Sequence, residues 1–584
     1  MKREPFGGRI SRREALAALI GLPAALAACH EPSPARPIEG AILGAPVDLG
    51  HRLRDGLLPE PRARRRVPVV IVGGGIAGLS AAWRLARAGF HDFELIEFDD
   101  VLGGTARAGE NAVSAYPWGA HYIPVPLAHA TGMIELLVEA GAGERDPATG
   151  AFVPDEAQLC RAPEERLFVA DRWYEGLFPW PGARPEELAE RERFEAEVAR
   201  WASLRDARGR RAFAVPMAHG SDDAEVTALD RLSMAEWMDQ HGLRSKRLRW
   251  FVEYGCRDDF GATLETTSAW AGLHYFASRW ESGDTQPFLT WPEGNGRLVT
   301  HLARRAVAGG ARLRAGVAAT RIVRPANGGA VEVWTYAPAT DHTEALVADR
   351  VIVALPRPFA ARLTGDEELL AAAREFQVSP WLVANLTLDR RPRSRGFPGA
   401  WDNVLYESAG LGYVVATHQM DEGRCSPSVL APLTGDPLGA GGAAADACVR
   451  RTPPRFGATV WTYYLPLVDA DPVAARKRLL DTSFETARDA ILADLRRAHP
   501  DLRECVSRID VWRWGHAMVR PRPGFVFSAA RLGAAAPRGA LHFAHTDLSA
   551  LPLFEEAHHH GVRAAEEVLA VLAVGTRAGA ERLT

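Results

Sequence analysis

A short apolar run, Val69-Val70-Ile71-Val72, feeds directly into Gly73-Gly74-Gly75-Ile76-Ala77-Gly78-Leu79, and Glu97 closes a second apolar run, Phe93-Glu94-Leu95-Ile96. That spacing leaves few folds open. Gly73 permits a tight strand-to-helix turn, Gly75 lets backbone approach a pyrophosphate, and Gly78 lets the new helix pack closely on the strand. The helix opening at Ile76 and Ala77 aims unsatisfied amides and the positive end of its dipole at phosphates, so negative charge is held without a basic side chain. Glu97 lies about twenty residues past the last glycine, where a carboxylate accepts hydrogen bonds from ribose hydroxyls. Ala81, Ala82, Leu85 and Ala86 at helical spacing complete a strand, turn, helix and strand. The unit predicts an α/β, Rossmann-like domain that binds a dinucleotide.

At 584 residues and 47% hydrophobic content the chain is too long for one core and should divide into two or more lobes. A net charge of −4, with no dense basic stripe interleaved with aromatics, excludes nucleic acid as a partner. At the N-terminus, Lys2, Arg3 and Arg9 precede Ser11-Arg12-Arg13-Glu14, and an apolar run from Ala15 to Ala28 stops at Cys29. The run is too short to span a bilayer as a permanent helix. The paired arginines resemble a twin-arginine export signal, and Leu26-Ala27-Ala28-Cys29 resembles a lipobox with Cys29 as the lipidated residue. The expected location is periplasmic, reached by the twin-arginine route and anchored to a membrane through Cys29. That route carries folded cargo, which suits a protein that folds around a tightly held dinucleotide.

Cys160, Cys256, Cys425, Cys448 and Cys505 are scattered without the Cys-x-x-Cys spacing of metal or redox sites. Outside the cytoplasm, Cys425 and Cys448 could pair across a Gly/Pro/Ala-rich loop. His558-His559-His560 does not make a metal site by itself, because neighbours on a helix point about 100 degrees apart; no metal is expected.

Residues 1–29 read as the signal and 30–66, rich in Pro and Arg and ending at Arg64-Arg65-Arg66, as a flexible tether. The folded body is expected to begin at Val67. Residues 67–130 form the first part of the dinucleotide domain, and 131–286, helical and aromatic, the first part of a substrate lobe. The domain resumes over 287–356, where Gly294-Asn295-Gly296-Arg297-Leu298 opens a helix. Strands are expected at Ala315–Ala318, Ala330–Trp334 and Asp349–Pro356. A second interruption over 357–513 contains the alternating strand Trp381–Leu388 and a Gly/Ala/Pro-rich, mobile loop from Pro432 to Pro454. The last part, 514–584, runs from the strand at Leu541 into a helix from Glu556 to Ala573.

These blocks resemble FAD-dependent oxidoreductases of the flavin amine oxidase type, in a superfamily that also holds protoporphyrinogen oxidases and carotenoid desaturases. Gly73, Gly75, Gly78 and Glu97 match its ADP-binding start. Leu102-Gly103-Gly104-Thr105-Ala106-Arg107 resembles its second glycine pair, which places Gly103, Gly104 and Arg107 near the flavin side of the pyrophosphate. Trp291-Pro292-Glu293-Gly294-Asn295-Gly296-Arg297-Leu298 resembles its return motif, and Val317 sits where the family contacts adenine through backbone. Phe554-Glu555-Glu556-Ala557, Gly561 and Ala564-Ala565 resemble the closing helix whose N-terminus faces the flavin, with Asp547 where an acidic residue approaches the ribityl chain. The resemblance implies a two-dinucleotide-binding-domain FAD fold with an inserted α+β substrate lobe. It also implies FAD held noncovalently, since no family-type cysteine for flavin attachment lies near the C-terminus.

Flavin chemistry asks little of side chains: a donor C–H bond is held near N5, and positioning and desolvation supply much of the rate. Pro117-Trp118-Gly119-Ala120-His121-Tyr122 is expected along the flavin ring, with His121 as proton acceptor or hydrogen-bond partner. His516, in Trp512-Arg513-Trp514-Gly515-His516, is the second catalytic candidate, beside aromatics that wall a pocket or fill a core. His545, Asp547 and Glu556 are expected as flavin-proximal polar groups, with burial raising Glu556. Many amine oxidases place a lysine beside N5, yet no lysine lies within a hundred residues before the strand Val383–Leu388. Leu553 and Glu556 also stand where those enzymes often carry an aromatic residue and a glycine. The expected activity is hydride transfer from a small organic donor to flavin, with oxygen or a quinone as electron acceptor. The alternatives are a desaturase- or protoporphyrinogen oxidase-like reaction on an apolar molecule, or a flavin-binding interaction protein without turnover.

Overall fold

The computed structural model describes residues 37–281, 284–325, 329–420, 425–427, 448–450 and 457–580. The N-terminal signal expected from Arg12, Arg13 and Cys29, and most of the Pro432–Pro454 loop, lie outside the described residues. Five strands form a wholly parallel sheet in the order Arg312–Arg314, Phe93–Ile96, Val69–Val72, Arg350–Val353 and Leu541–Phe543. The central strand Val69–Val72 is apolar throughout because both of its faces are covered. Val69 and Ile71 enter a core with Leu79, Leu302 and Val568, from the helices Ile76–Arg87, Gly296–Ala308 and Phe554–Ala580; Val70 and Val72 enter a second core with Ile322, Val333 and Leu346. This is the doubly wound dinucleotide unit expected from the sequence.

An eight-stranded sheet stands beside it, in the order Glu39–Leu43, Val506–Val519, Val378–Leu388, Thr459–Pro466, Gly412–Val415, Asp402–Leu405, Glu165–Val169 and Arg172–Glu175. Leu382, Ala384 and Leu386 on one face pack with Ile491 and Leu495 of the helix Phe484–Leu495; Trp381 and Val383 on the other join Trp401, Tyr464 and Trp512. Burial on both faces explains why Trp381–Leu388, read as an alternating strand, is buried at all but one position. The helical part of 131–286, from Pro185 to Ala277, buries Phe194, Trp237 and Trp270 in the same core as Val70 and Val72 of the parallel sheet. Residues 131–286 are not helical throughout, because Glu165–Val169 and Arg172–Glu175 extend the large sheet. No helix among the described residues is long and apolar enough to cross a membrane.

The tether reading of 30–66 is corrected from Pro37 onward. Glu39–Leu43 pairs in parallel with Arg508–Trp512 at the edge of the large sheet, and Ala63–Arg66 pairs in parallel with Glu344–Val347. The arginine run is a strand whose cations each meet an acid: Arg64 with Glu332 at 3.2 Å, Arg65 with Glu94 at 2.9 Å, Arg66 with Asp349 at 2.9 Å. Its polar, Pro-rich local pattern hides pairings contributed from some 280 residues away. Ala315–Val317 is likewise not strand but the turn between Arg312–Arg314 and Ala318–Val323, with Gly316 at φ +69°. In the hairpin Cys425–Pro427 and Cys448–Arg450, Cys425 aligns with Arg450 and Cys448 with Pro427, so the backbone register sets the two cysteines diagonally rather than opposite.

Candidate functional site: a dinucleotide cradle opening on an aromatic chamber

The glycines of the first turn divide the labour. A Cβ on Gly73, at φ +109°, would lie 2.4 Å from the Ala354 carbonyl oxygen, and one on Gly78 would lie 1.8 Å from that of Gly73. A Cβ on Gly75 meets nothing closer than the Gly104 Cα at 4.0 Å. Gly73 and Gly78 are therefore fixed by the protein's own packing, whereas Gly75 borders open space at the N-terminus of the helix Ile76–Arg87, where no side chain caps the free amides.

Gly103 donates its N–H to the Gly74 carbonyl at 2.8 Å, joining the second glycine pair to the first. Glu97 accepts from the N–H groups of Gly74 at 2.5 Å and Asp99 at 2.9 Å. Burial nevertheless holds its carboxyl above the usual range, against the pull of those two donors. The Val317 N–H goes to the Glu97 carbonyl at 2.8 Å, which sets Val317 beside Glu97 and spends its backbone donor on protein.

Arg107 is 3% exposed, pairs with Asp99 at 2.6 Å, donates to the Val101 carbonyl at 2.9 Å and lies 4.5 Å over the Trp512 ring. It clamps the cradle to the large sheet. Trp118 packs 5.5 Å from Trp512, and its carbonyl accepts from the Trp514 indole at 2.7 Å. Gly119 is set by the Thr105 carbonyl, which a Cβ would approach to 2.2 Å.

Beyond Gly119 the chain enters an aromatic chamber. His121 stacks on Tyr464 at 4.8 Å and lies 5.4 Å from Trp401; Phe288 stands 5.0 Å from Trp401 and 5.5 Å from Tyr122. Tyr464 donates its hydroxyl to the Gly119 carbonyl at 2.9 Å, tying the chamber to the cradle. Burial lowers the His121 imidazole to about 4, so it is neutral at neutral pH. Two carboxylates look into the same region: Asp258 accepts from the Tyr122 hydroxyl at 3.5 Å and Asp402 from that of Tyr254 at 3.1 Å.

His516 does not join His121; its ring partner is Phe359 at 4.9 Å. It reaches the surface, and desolvation by the surrounding protein lowers its imidazole to about 4.

In the closing block the polar groups expected near the flavin are held by protein partners. Asp547, 1% exposed, accepts from the Arg357 N–H at 2.8 Å and lies 3.0 Å from His545 Nδ1, so it holds two loops together. Glu556 is wholly buried and accepts from the Met217 N–H and the Ser549 hydroxyl, both at 2.6 Å; desolvation raises its carboxyl to about 7. Ala557 is buried one residue further along the helix Phe554–Ala580. His558 turns to Ser80 and Gly132, and His560 to Ser549, the divergence expected on a helix.

Sequence reasoning does not reach Asp258, Asp402, Trp401 or Tyr464. They come from the end of the helix Lys246–Phe260, the start of the strand Asp402–Leu405 and the strand Thr459–Pro466, and none carries a spacing signal.

The sequence pattern of flavin containing amine oxidoreductases matches residues 76–569. The chain belongs to that family. Membership assigns it to the flavin-dependent oxidoreductases, with the FAD-dependent amine oxidase fold. A putrescine oxidase triple mutant superposes with a TM-score of 0.59 at 16% identity, covering 86% of this chain and 99% of that one. Cyclohexylamine oxidase from Brevibacterium oxydans IH-35A gives 0.55 at 15% identity over 88% and 100%. A fatty acid isomerase from P. acnes that produces CLA gives 0.57 at 16% identity over 86% and 98%, so the shared fold does not choose the reaction. Among curated proteins, the methylenetetrahydrofolate–tRNA-(uracil-5-)-methyltransferase TrmFO of Phenylobacterium zucineum (strain HLK1) is 31% identical over 108 residues, 17% of this chain and only 23% of that protein. Within the family, the residues that fit FAD are the open turn at Gly75, the uncapped amides from Ile76, Glu97 and the paired glycines Gly103 and Gly104.

Proposed function

We propose that the protein is an exported FAD-dependent oxidoreductase that removes hydride from a small organic donor held in the aromatic chamber. The observation that carries this reading is the continuity of Trp118–Tyr122: one segment is bonded to the second glycine loop through Ala120 N–H to Thr105 at 2.9 Å and, two residues on, lines the chamber with His121 and Tyr122. FAD, when bound, accepts hydride from the donor carbon. The chain's own part is to hold the diphosphate at Gly75 and the helix behind it, to exclude water with Trp401, Tyr464 and Phe288, and to present a neutral imidazole at His121.

The absence of an aromatic at Leu553 does not leave the chamber without a stacked pair, because Tyr464 and His121 supply one from other elements. That supports a donor with an amine-bearing or otherwise activated carbon. Export is supported by Arg12, Arg13 and Cys29, and noncovalent binding by a cradle built from backbone.

The test is anaerobic reduction. Purified yellow protein should bleach with a donor from a panel of amines, porphyrinogens and polyenes, and reoxidation by oxygen or by a quinone then identifies the acceptor. A flavin that no donor reduces would favour a binding protein without turnover.

A further inference from the structure

His558, His559 and His560 diverge around the closing helix, and the first and last are committed to Ser80, Gly132 and Ser549. Half-buried His559 makes ring contacts but, among the described residues, no hydrogen bond. Two other segments are pinned beside it. Met217 donates its N–H to Glu556 at 2.6 Å, which sets the turn Met217–His219 on the closing helix. His559 lies three residues beyond Glu556, about one helical turn, and its ring centre is 6.0 Å from that of His219. His558 bonds the Gly132 carbonyl at 3.2 Å, pinning the start of the helix Thr131–Glu139 to the same element. His129, just ahead of that helix, brings its ring centre to 5.8 Å from His219.

The ring of His129 is hydrogen-bonded on one side to the Val215 backbone, whereas its Nε2 is buried without a partner. That is how a metal-ligating imidazole is held: a backbone carbonyl fixes one nitrogen and leaves the lone pair of the other available. Burial lowers His129 and His559 to about 4, so both are uncharged at neutral pH. His219 is exposed, makes no hydrogen bond among the described residues, and gives an ion its way in. A zinc ion bonded to two imidazoles at about 2.0–2.1 Å each sets their ring centres about 5–6 Å apart. Both spacings here fall in that range. The charges of Arg211 and Arg563 also reach these rings, but the first is tied to the carbonyls of Ala277 and Trp280 and the second to Glu567.

We propose that His129, His219 and His559 bind one divalent transition-metal ion of the zinc class, their nitrogens brought onto it by side-chain rotation and the remaining position taken by water. A donor set of imidazoles alone selects Zn2+, Co2+, Ni2+ or Cu2+ over Mg2+ and Ca2+, which take oxygen ligands. The ion staples the closing helix to the segment before Thr131 and to the turn Met217–His219, three parts of the chain that meet only in the fold. The divergence of neighbouring histidines along a helix, which argues against a metal in the sequence, is answered by partners from two other elements.

The experiment is calorimetric titration of untagged holoprotein, stripped with EDTA, with Zn2+ and with Mg2+, alongside Co2+ titration read from its visible bands beyond the flavin absorption. One Zn2+ per chain should bind with a micromolar or tighter dissociation constant and raise the melting temperature; Mg2+ should do neither. His129→Ala, His219→Ala and His559→Ala should each weaken Zn2+ binding at least about tenfold, and His219→Ala should keep its flavin, since that side chain has no hydrogen bond to lose. His129→Gln and His559→Gln stand in where an alanine variant unfolds. His91→Ala, which removes an exposed histidine elsewhere, should bind Zn2+ as the wild type does. Zn2+ binding that survives His219→Ala, or that falls equally in His91→Ala, overturns the site. So does a loss confined to His219→Ala while the His129 and His559 variants bind normally.

Discussion

Gly75 and Gly78 are three residues apart and should fail in opposite ways. Gly75→Val leaves φ −74° available to any residue and meets no protein atom closer than 4.0 Å, so the chain should fold but lose its flavin, because the side chain occupies the diphosphate's space. Gly78→Ala drives a methyl group to within 1.8 Å of the Gly73 carbonyl and should cost about 1–3 kcal/mol or more in stability. Flavin absorbance after gel filtration, set against a thermal melt, separates the two. Gly75→Val that retains stoichiometric flavin would sink the assigned turn.

Glu556 gives a pH signature. Its carboxyl is raised from 4.5 to about 7 by desolvation, so between those values the folded chain binds the proton and the unfolded chain does not. Stability therefore falls as pH rises through that window, by about 3 kcal/mol in all, and the loss is complete above pH 7. Glu556→Gln keeps the shape and an acceptor oxygen without a titrating proton, and should flatten this part of the profile of melting temperature against pH. Residue types alone make Glu556 a candidate flavin neighbour; the structure adds that Ser549 and Met217 hold its carboxyl in place.

Among the elements, the closing helix Phe554–Ala580 must lie almost against Ile76–Arg87. Gly561 permits this, since a Cβ there would come within 2.2 Å of the Ala77 carbonyl and 2.8 Å of the Ser80 side chain. Gly561→Leu should push the two helices apart, lower the melting temperature and weaken flavin retention together, because Ala77 belongs to the first turn of the cradle. A variant with unchanged melting temperature and flavin content would show that the crossing tolerates separation.

The strand Glu39–Leu43 makes the complementary case. A Cβ on Gly40 would lie 1.7 Å from the Ile509 carbonyl, so Gly40→Val should strip this edge strand from the sheet and expose its neighbour, read out as faster proteolysis before Val47 and increased aggregation. Elements with a strong local period, such as Val69–Val72 and the helix after Gly75, are legible in the sequence. Edge strands that borrow their hydrogen bonds from distant partners are not.

For the molecule as a unit, acid precipitation should release the flavin into the supernatant, as expected of a cofactor gripped by backbone amides without a covalent bond; pigment remaining in the pellet would contradict this. Replacing Arg12 and Arg13 by lysines should hold the protein in the cytoplasm, measured by cell fractionation, and unaffected export would point to another route.

Chain chemistry alone specifies the dinucleotide unit, the discontinuous return of that unit near Gly294 and Leu541, and the family. These rest on turns and periods whose physics is local: a glycine that must admit a phosphate, a strand buried on both faces, a helix that starts on amides. The chamber is a product of the fold. His121, Asp258, Trp401 and Tyr464 come from a loop, a helix end, a loop between strands and a central strand, and their meeting depends on how the eight-stranded sheet docks on the cradle through Arg107, Trp118 and Trp512. Long-range packing of this kind leaves no spacing to read, because each residue answers to its own element until the fold brings them together.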